Sequence, residues 1–136
     1  MDSSGFIYKV LDMAFHNALG KWGENLAAEY LTAKGYAIAD QNWRSEGLEI
    51  DIVAFHNNRV VFIEVKTRHD AFARPEEAVD RRRISRMVRA ADMYVRAKNL
   101  PHDIQYDIIA ICGVPEKYEI VHIEDAFFAP LRARRR

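Results

Sequence analysis

The chain has 136 residues, is 49% hydrophobic, and balances 20 Lys and Arg against 20 Asp and Glu. That is material for one core and too little for two ordinary domains. A single cysteine, Cys112, excludes an internal disulfide framework and a cysteine-rich zinc site. No apolar run reaches membrane-spanning length, and the opening lacks a secretory-signal pattern, so a cytoplasmic protein without a membrane partner is expected.

Residues 1–18 are weakly patterned and are expected to be an N-terminal extension, with Phe6, Val10, Met13 and Phe15 offering at most an extra amphipathic turn or two. From Leu19 to Lys34 the pattern sharpens. Leu19, Trp22, Leu26, Tyr30 and Ala33 recur at three- and four-residue intervals, which predicts a helix with one buried face that stops at Gly35. Glu24 falls near Leu31 at the border of that face. Three strands are predicted next, Tyr36 to Arg44, Leu48 to Phe55 and Arg59 to Arg68. The polar link His56-Asn57-Asn58 makes the last two an antiparallel hairpin.

Pro75 is expected to open a second helix, with Glu76 and Glu77 at the positive end of its dipole and an apolar stripe of Ile84, Met87, Val88, Ala91, Tyr94 and Val95. Pro101 ends it. Ile104 to Ile111 and Tyr118 to Ile123 read as two more strands around a Gly113-Val114-Pro115-Glu116 turn. A final helical turn is expected from Glu124 to Ala129, before a basic tail at 130–136. The expected fold is therefore a single α/β domain over 19–129, in the order αβββαββ, with a mixed central sheet flanked by helices.

The neutral total hides local charge. From Asp80 to Lys98 there are seven basic residues against two acidic, and the tail adds four arginines. Arg82, Arg86 and Arg89 form one helical ridge, with Arg83 beside them nearer the apolar stripe. Such a ridge suits phosphate contact in a nucleic acid, and the plain alternative is a solvated face.

Asp51 lies in one strand and Glu64 and Lys66 in the next. By strand alternation Glu64 and Lys66 share a face with Phe62, opposite Val61, Ile63 and Val65; Asp51 shares one with Glu49 and Val53. Charges in apolar strands cost folding energy unless they bind something. Phosphodiester hydrolysis needs an activated water and charge neutralisation, and a hard cation supplies both. Asp51 and Glu64 would offer carboxylates to Mg²⁺ or Mn²⁺, the Val65 carbonyl a third oxygen, and Lys66 would orient the water or offset charge on the phosphate. A surface ion pair between Glu64 and Lys66 is the plain alternative.

Trp22 and Tyr30 suit core packing better than base stacking. His16, His56, His69, His102 and His122 show no zinc-like spacing, Asp107 reads as a core or structural acid tied to an arginine, and Cys112 as a small core residue.

With Glu24, Asp51 and Glu64-Val65-Lys66 in this element order, the chain resembles the PD-(D/E)XK nuclease superfamily, whose fold is restriction endonuclease-like. More closely, Gly20-x-x-Gly23-Glu24, Ala27-Ala28-x-Tyr30-Leu31, Gly35-Tyr36, Asn42-Trp43-Arg44, Glu49-Ile50-Asp51-Ile52-Val53-Ala54, Val61-Phe62-Ile63-Glu64-Val65-Lys66-Thr67-Arg68 and Tyr106-Asp107-Ile108-Ile109 are similar to the YraN-like bacterial family, considered a relative of archaeal Holliday junction resolvases. The resemblance covers about residues 20–124. It implies metal ligation by Asp51 and Glu64, a catalytic Lys66, an accessory acid at Glu24, and a family glutamate at Glu49. One departure is Leu48, where the family usually has glycine; Gly47 precedes it. The implied activity is a metal-dependent endonuclease acting on DNA rather than RNA, on branched or junction DNA in particular, as a homodimer by analogy. A catalytically idle nucleic-acid-binding module of the same fold is the alternative.

Overall fold

Among the described residues, short apolar runs make five strands, and two helices cover them. The computed structural model describes residues 3–69 and 81–127. Helix α1 (Ser3–Ala33) is followed by β1 (Ala37–Ser45), β2 (Leu48–His56), β3 (Arg59–Arg68), helix α2 (Arg81–Lys98), β4 (Asp103–Val114) and β5 (Lys117–Ile123). The strands lie side by side in chain order; β3 and β4 are parallel and the other three pairs antiparallel. The expected order and the mixed sheet are therefore present.

Turn chemistry fixes the joints. Asn57 and Asn58 both have positive φ, 52° and 63°, as a two-residue hairpin requires, and Glu46-Gly47 does the same between β1 and β2. Gly35, at φ 95°, ends α1. Its N–H donates to the Thr32 carbonyl at 3.0 Å, and Tyr36 N–H to Leu31 at 3.0 Å, the double bond of a left-handed helix cap. Asn99, φ 53°, ends α2 in the same way, with Leu100 N–H on the Val95 carbonyl at 3.1 Å.

The helices pack on opposite faces. Ala27 and Leu31 of α1 join Tyr36, Ile52, Ala54, Val61, Ile63, Val65, Ile109 and Ile111; Met87, Ala90, Ala91 and Tyr94 of α2 join Leu48, Ile50, Val53, Val60, Phe62 and Tyr106. The alternation predicted along β3 is the one found. Along β2 it lapses: Leu48 and Ile50 share the α2 core with Val53, so Asp51 does not simply follow Val53 to one face.

Other expectations change. Residues 3–18 form more than the extra turn or two expected of them, being part of one 31-residue helix. They contain no proline, and once the 19–33 segment is helical each added residue gains a hydrogen bond without a new nucleus. What begins at Leu19 is burial, since Phe6, Tyr8 and Leu11 are exposed. Glu124 and Asp125 form a turn, with Asp125 at φ 52°, rather than the start of a helix. The Asp125 main chain is taken by Asp107, and Ala126 N–H by the Tyr106 carbonyl, which fixes the segment against β4 instead. Pro75, Glu76, Glu77 and the tail lie outside the described residues.

Candidate metal and phosphate site

The antiparallel ladder between β2 and β3 runs from His56↔Arg59 to Ile52↔Ile63 and stops there, while β3 stays paired to β4 as far as Arg68↔Cys112. The next residues are Asp51 on β2 and Glu64 on β3. Where the strands part, Asp51 Oδ2 accepts the Val65 N–H at 2.8 Å, so a side chain replaces the missing main-chain partner. The parting opens a cavity of about 500 Å³ lined by Glu49, Asp51, Glu64, Val65, Lys66, Arg82, Arg83, Arg86 and Met87. Asp51, Glu64 and Lys66, read from the sequence as one constellation, face one space.

Burial and mutual repulsion define its electrostatics. Asp51 is pushed up to about 7, first by desolvation and then by the Glu64 charge, against the Val65 hydrogen bond, with Glu24 and Glu49 adding to the rise. Glu64 is also raised, by desolvation, while Arg83 and Lys66 oppose the rise. Lys66 is lowered, by desolvation and then by Arg83 and Arg68. Burial thus disfavours charge on both acids and on the lysine.

Arg83 is ion-paired through Nη1 to Glu64 Oε2. Arg86 Nη2 donates to the Gly47 carbonyl at 3.2 Å, tying the β1–β2 turn to α2. Arg89 is exposed and is not among the residues lining the cavity, so of the predicted ridge only Arg82 and Arg86, together with Arg83, reach it. Leu48, at the departure from the resembled pattern, is buried in the α2 core, which gives the side chain a packing role.

Glu24 does not line this cavity. It lines an adjoining groove with His16, Asn17, Gly20, Lys21, Asn42, Arg44 and Glu49, and Glu49 belongs to both. Gly23 explains how α1 comes so near: a Cβ there would overlap the Thr67 hydroxyl, one residue beyond Lys66, and stand 3.0 Å from its Cβ. The sequence reading quoted Gly23 without giving it this role. It likewise quoted Asn42 without a role; at φ 54° it stands inside β1 between the pairs Gln41↔Ile52 and Trp43↔Ile50, and an Asn inside a strand was the available signal.

Among the described residues, no three His, Cys, Asp or Glu side chains are grouped to hold a metal ion. The oxygen donors at the cavity are the buried Glu64, the half-buried Asp51, the exposed Glu49 and the Val65 main chain. That set suits a hard cation retaining several waters and does not suit zinc.

Asp107, fully buried, was expected to pair with an arginine. It instead accepts from His122 Nε2 at 2.7 Å, Tyr36 Oη at 3.1 Å, Gln105 Nε2 at 2.9 Å and Asp125 N–H at 3.0 Å. These hydrogen bonds hold it below the usual carboxylate range despite its burial. Cys112 is half-buried rather than core. Trp22 packs edge-on against Tyr118 and Trp43 against Tyr94, with ring centroids 5.4 and 5.2 Å apart.

The class these features define is a single-domain α/β protein with an open five-stranded mixed sheet and an acid, lysine and arginine pocket where two strands part. Residues 23–111 match the model of the "Uncharacterised protein family UPF0102". The chain is 48% identical over 120 residues to a UPF0102 protein of Bacteroides thetaiotaomicron, a match covering 88% of this chain and 99% of that one. It is 43% identical over 120 residues to one of Bacteroides fragilis, with the same coverage, and 43% over 117 residues to one of Flavobacterium psychrophilum, covering 85% and 98%. The chain belongs to the UPF0102 family. No helix among the described residues is long and apolar enough to cross a membrane.

Proposed function

We propose that this protein is a metal-dependent endonuclease of the restriction endonuclease-like type, hydrolysing phosphodiester bonds in DNA and in branched DNA in particular. The observation that carries the reading is the meeting of Asp51, Glu64 and Lys66 in one cavity under the arginines of α2. Packing alone gives no reason for two carboxylates where burial and repulsion push both toward the neutral form. A divalent cation would remove that cost, because its charge inverts the local preference.

Asp51, Glu64 and the Val65 carbonyl would hold Mg²⁺ or Mn²⁺. When bound, the cation would supply an acidified water and neutralise charge on the phosphate. Lys66 would orient that water by hydrogen bonding or offset charge growing on the phosphate oxygens. Arg82, Arg83 and Arg86 would hold phosphates of the backbone. Glu24 and Glu49, in the adjoining groove, would be accessory acids. Purified protein with Mn²⁺ and a four-way DNA junction is expected to cut, and Asp51→Asn and Lys66→Ala to abolish cutting while leaving binding largely intact. Cutting that survives both changes would refute the assignment.

The second reading, an idle nucleic-acid-binding module, is favoured by the Arg83 ion pair that already satisfies Glu64. It predicts junction binding without Mn²⁺ affinity.

A further inference from the structure

Two partners have a claim on Glu64. Its side chain is 11% exposed and held in the cavity wall, while that of Arg83, its ion-pair partner, is 43% exposed at the mouth. The arginine stands on α2 and the acid on β3, so the pair joins the two elements through side chains and not through main chain. A guanidinium and a divalent cation cannot both take the same carboxylate oxygen at contact distance, since in a half-buried site their repulsion is large. Arg86 is differently placed, with a donor on the Gly47 carbonyl, and Arg82 shares the cavity wall and the charge.

We infer that Arg83 is an exchangeable counter-ion, kept on Glu64 until a divalent cation takes that carboxylate and then passed to a phosphate of a nucleic acid lying over the cavity. The inference rests on the cavity being the cation and phosphate site proposed above. It makes cation and nucleic acid bind cooperatively, each raising the affinity for the other by the same factor. A guanidinium released from Glu64 turns donors toward the phosphate, and its planar fork suits two phosphate oxygens.

The test compares wild type, Arg83→Gln and Arg82→Gln, each checked for native circular dichroism. Mn²⁺ binding is read by calorimetry. Binding of a fluorescein-labelled DNA duplex is read by anisotropy with and without Ca²⁺, which replaces Mn²⁺ so that the duplex is not consumed. Arg83→Gln is expected to bind Mn²⁺ about tenfold more tightly than wild type, within the usual range for coupled sites, and Arg82→Gln by no more than about threefold, from the loss of a screened charge. The gain in duplex affinity on adding Ca²⁺ is expected to vanish in Arg83→Gln and to persist in Arg82→Gln. An arginine with a merely structural role would weaken Mn²⁺ binding when removed. The exchange alone is overturned if Asp51→Asn abolishes Mn²⁺ binding but Arg83→Gln behaves like Arg82→Gln. If wild type binds no Mn²⁺, or binds it independently of Asp51, the exchange and the cation site fall together.

Discussion

Replacing Asp51 by Asn should make the protein more stable, and most of all at pH above the acid range. In the folded chain the Asp51 carboxyl is raised from 3.8 to about 7. A raised acid favours folding when protonated, so its stability is fully present below about 4 and is lost as pH rises toward 7. A shift of that size corresponds to roughly 4 kcal/mol at alkaline pH, before discounting for partial solvation and the coupling to Glu64. After the discount, a gain of about 1–3 kcal/mol is expected for Asp51→Asn at pH 8 without metal, because the Asn oxygen can still accept the Val65 N–H. For a domain of this length that is about 3–9 °C in Tm. At pH 4.5 wild-type Asp51 is neutral in the fold and only the unfolded carboxyl is ionised, so the difference should shrink to about a quarter of its pH 8 value. Differential scanning calorimetry at the two pH values decides the matter. A variant less stable at pH 8, or equally stabilised at both, would mean that Asp51 is an ordinary structural acid.

Gly23→Ala should drive the new methyl into Thr67 and push α1 off β3, costing about 1–3 kcal/mol by urea unfolding, and Gly23→Ala with Thr67→Ala together should recover much of it. Asp107→Ala should destabilise by about 3 kcal/mol or more, since it strands the His122 and Gln105 donors and the Asp125 N–H at once and leaves Tyr36 only its Glu124 partner; a loss under about 1 kcal/mol would mean that water replaces the carboxylate. Asp107 is lowered in the fold, so its contribution is present above about 4 and lost as pH falls further. Acid unfolding of Asp107→Asn should accordingly be less steep with pH than that of wild type.

The strands and the pairing of Glu64 with Lys66 on one face of β3 were readable because alternation over ten residues depends only on the geometry of an extended chain. The parting of β2 from β3 was not. It goes with the Asp51 carboxylate replacing a main-chain partner, a contact between residues fourteen apart that no local pattern records. The Arg83 ion pair was hidden for the same reason, although its place nearer the apolar stripe set it apart from Arg82, Arg86 and Arg89. Residues 3–18 misled because their apolar positions follow no single face, which speaks against burial but not against helix.

The central claim is that Asp51 and Glu64 together hold one divalent cation. Titration calorimetry of Mn²⁺ into wild type, Asp51→Asn and Glu64→Gln at pH 7.5 tests it most directly. The account predicts binding to wild type at one site and loss of about tenfold or more in affinity with either substitution. Heat that is absent from wild type, or unchanged in both variants, would contradict it.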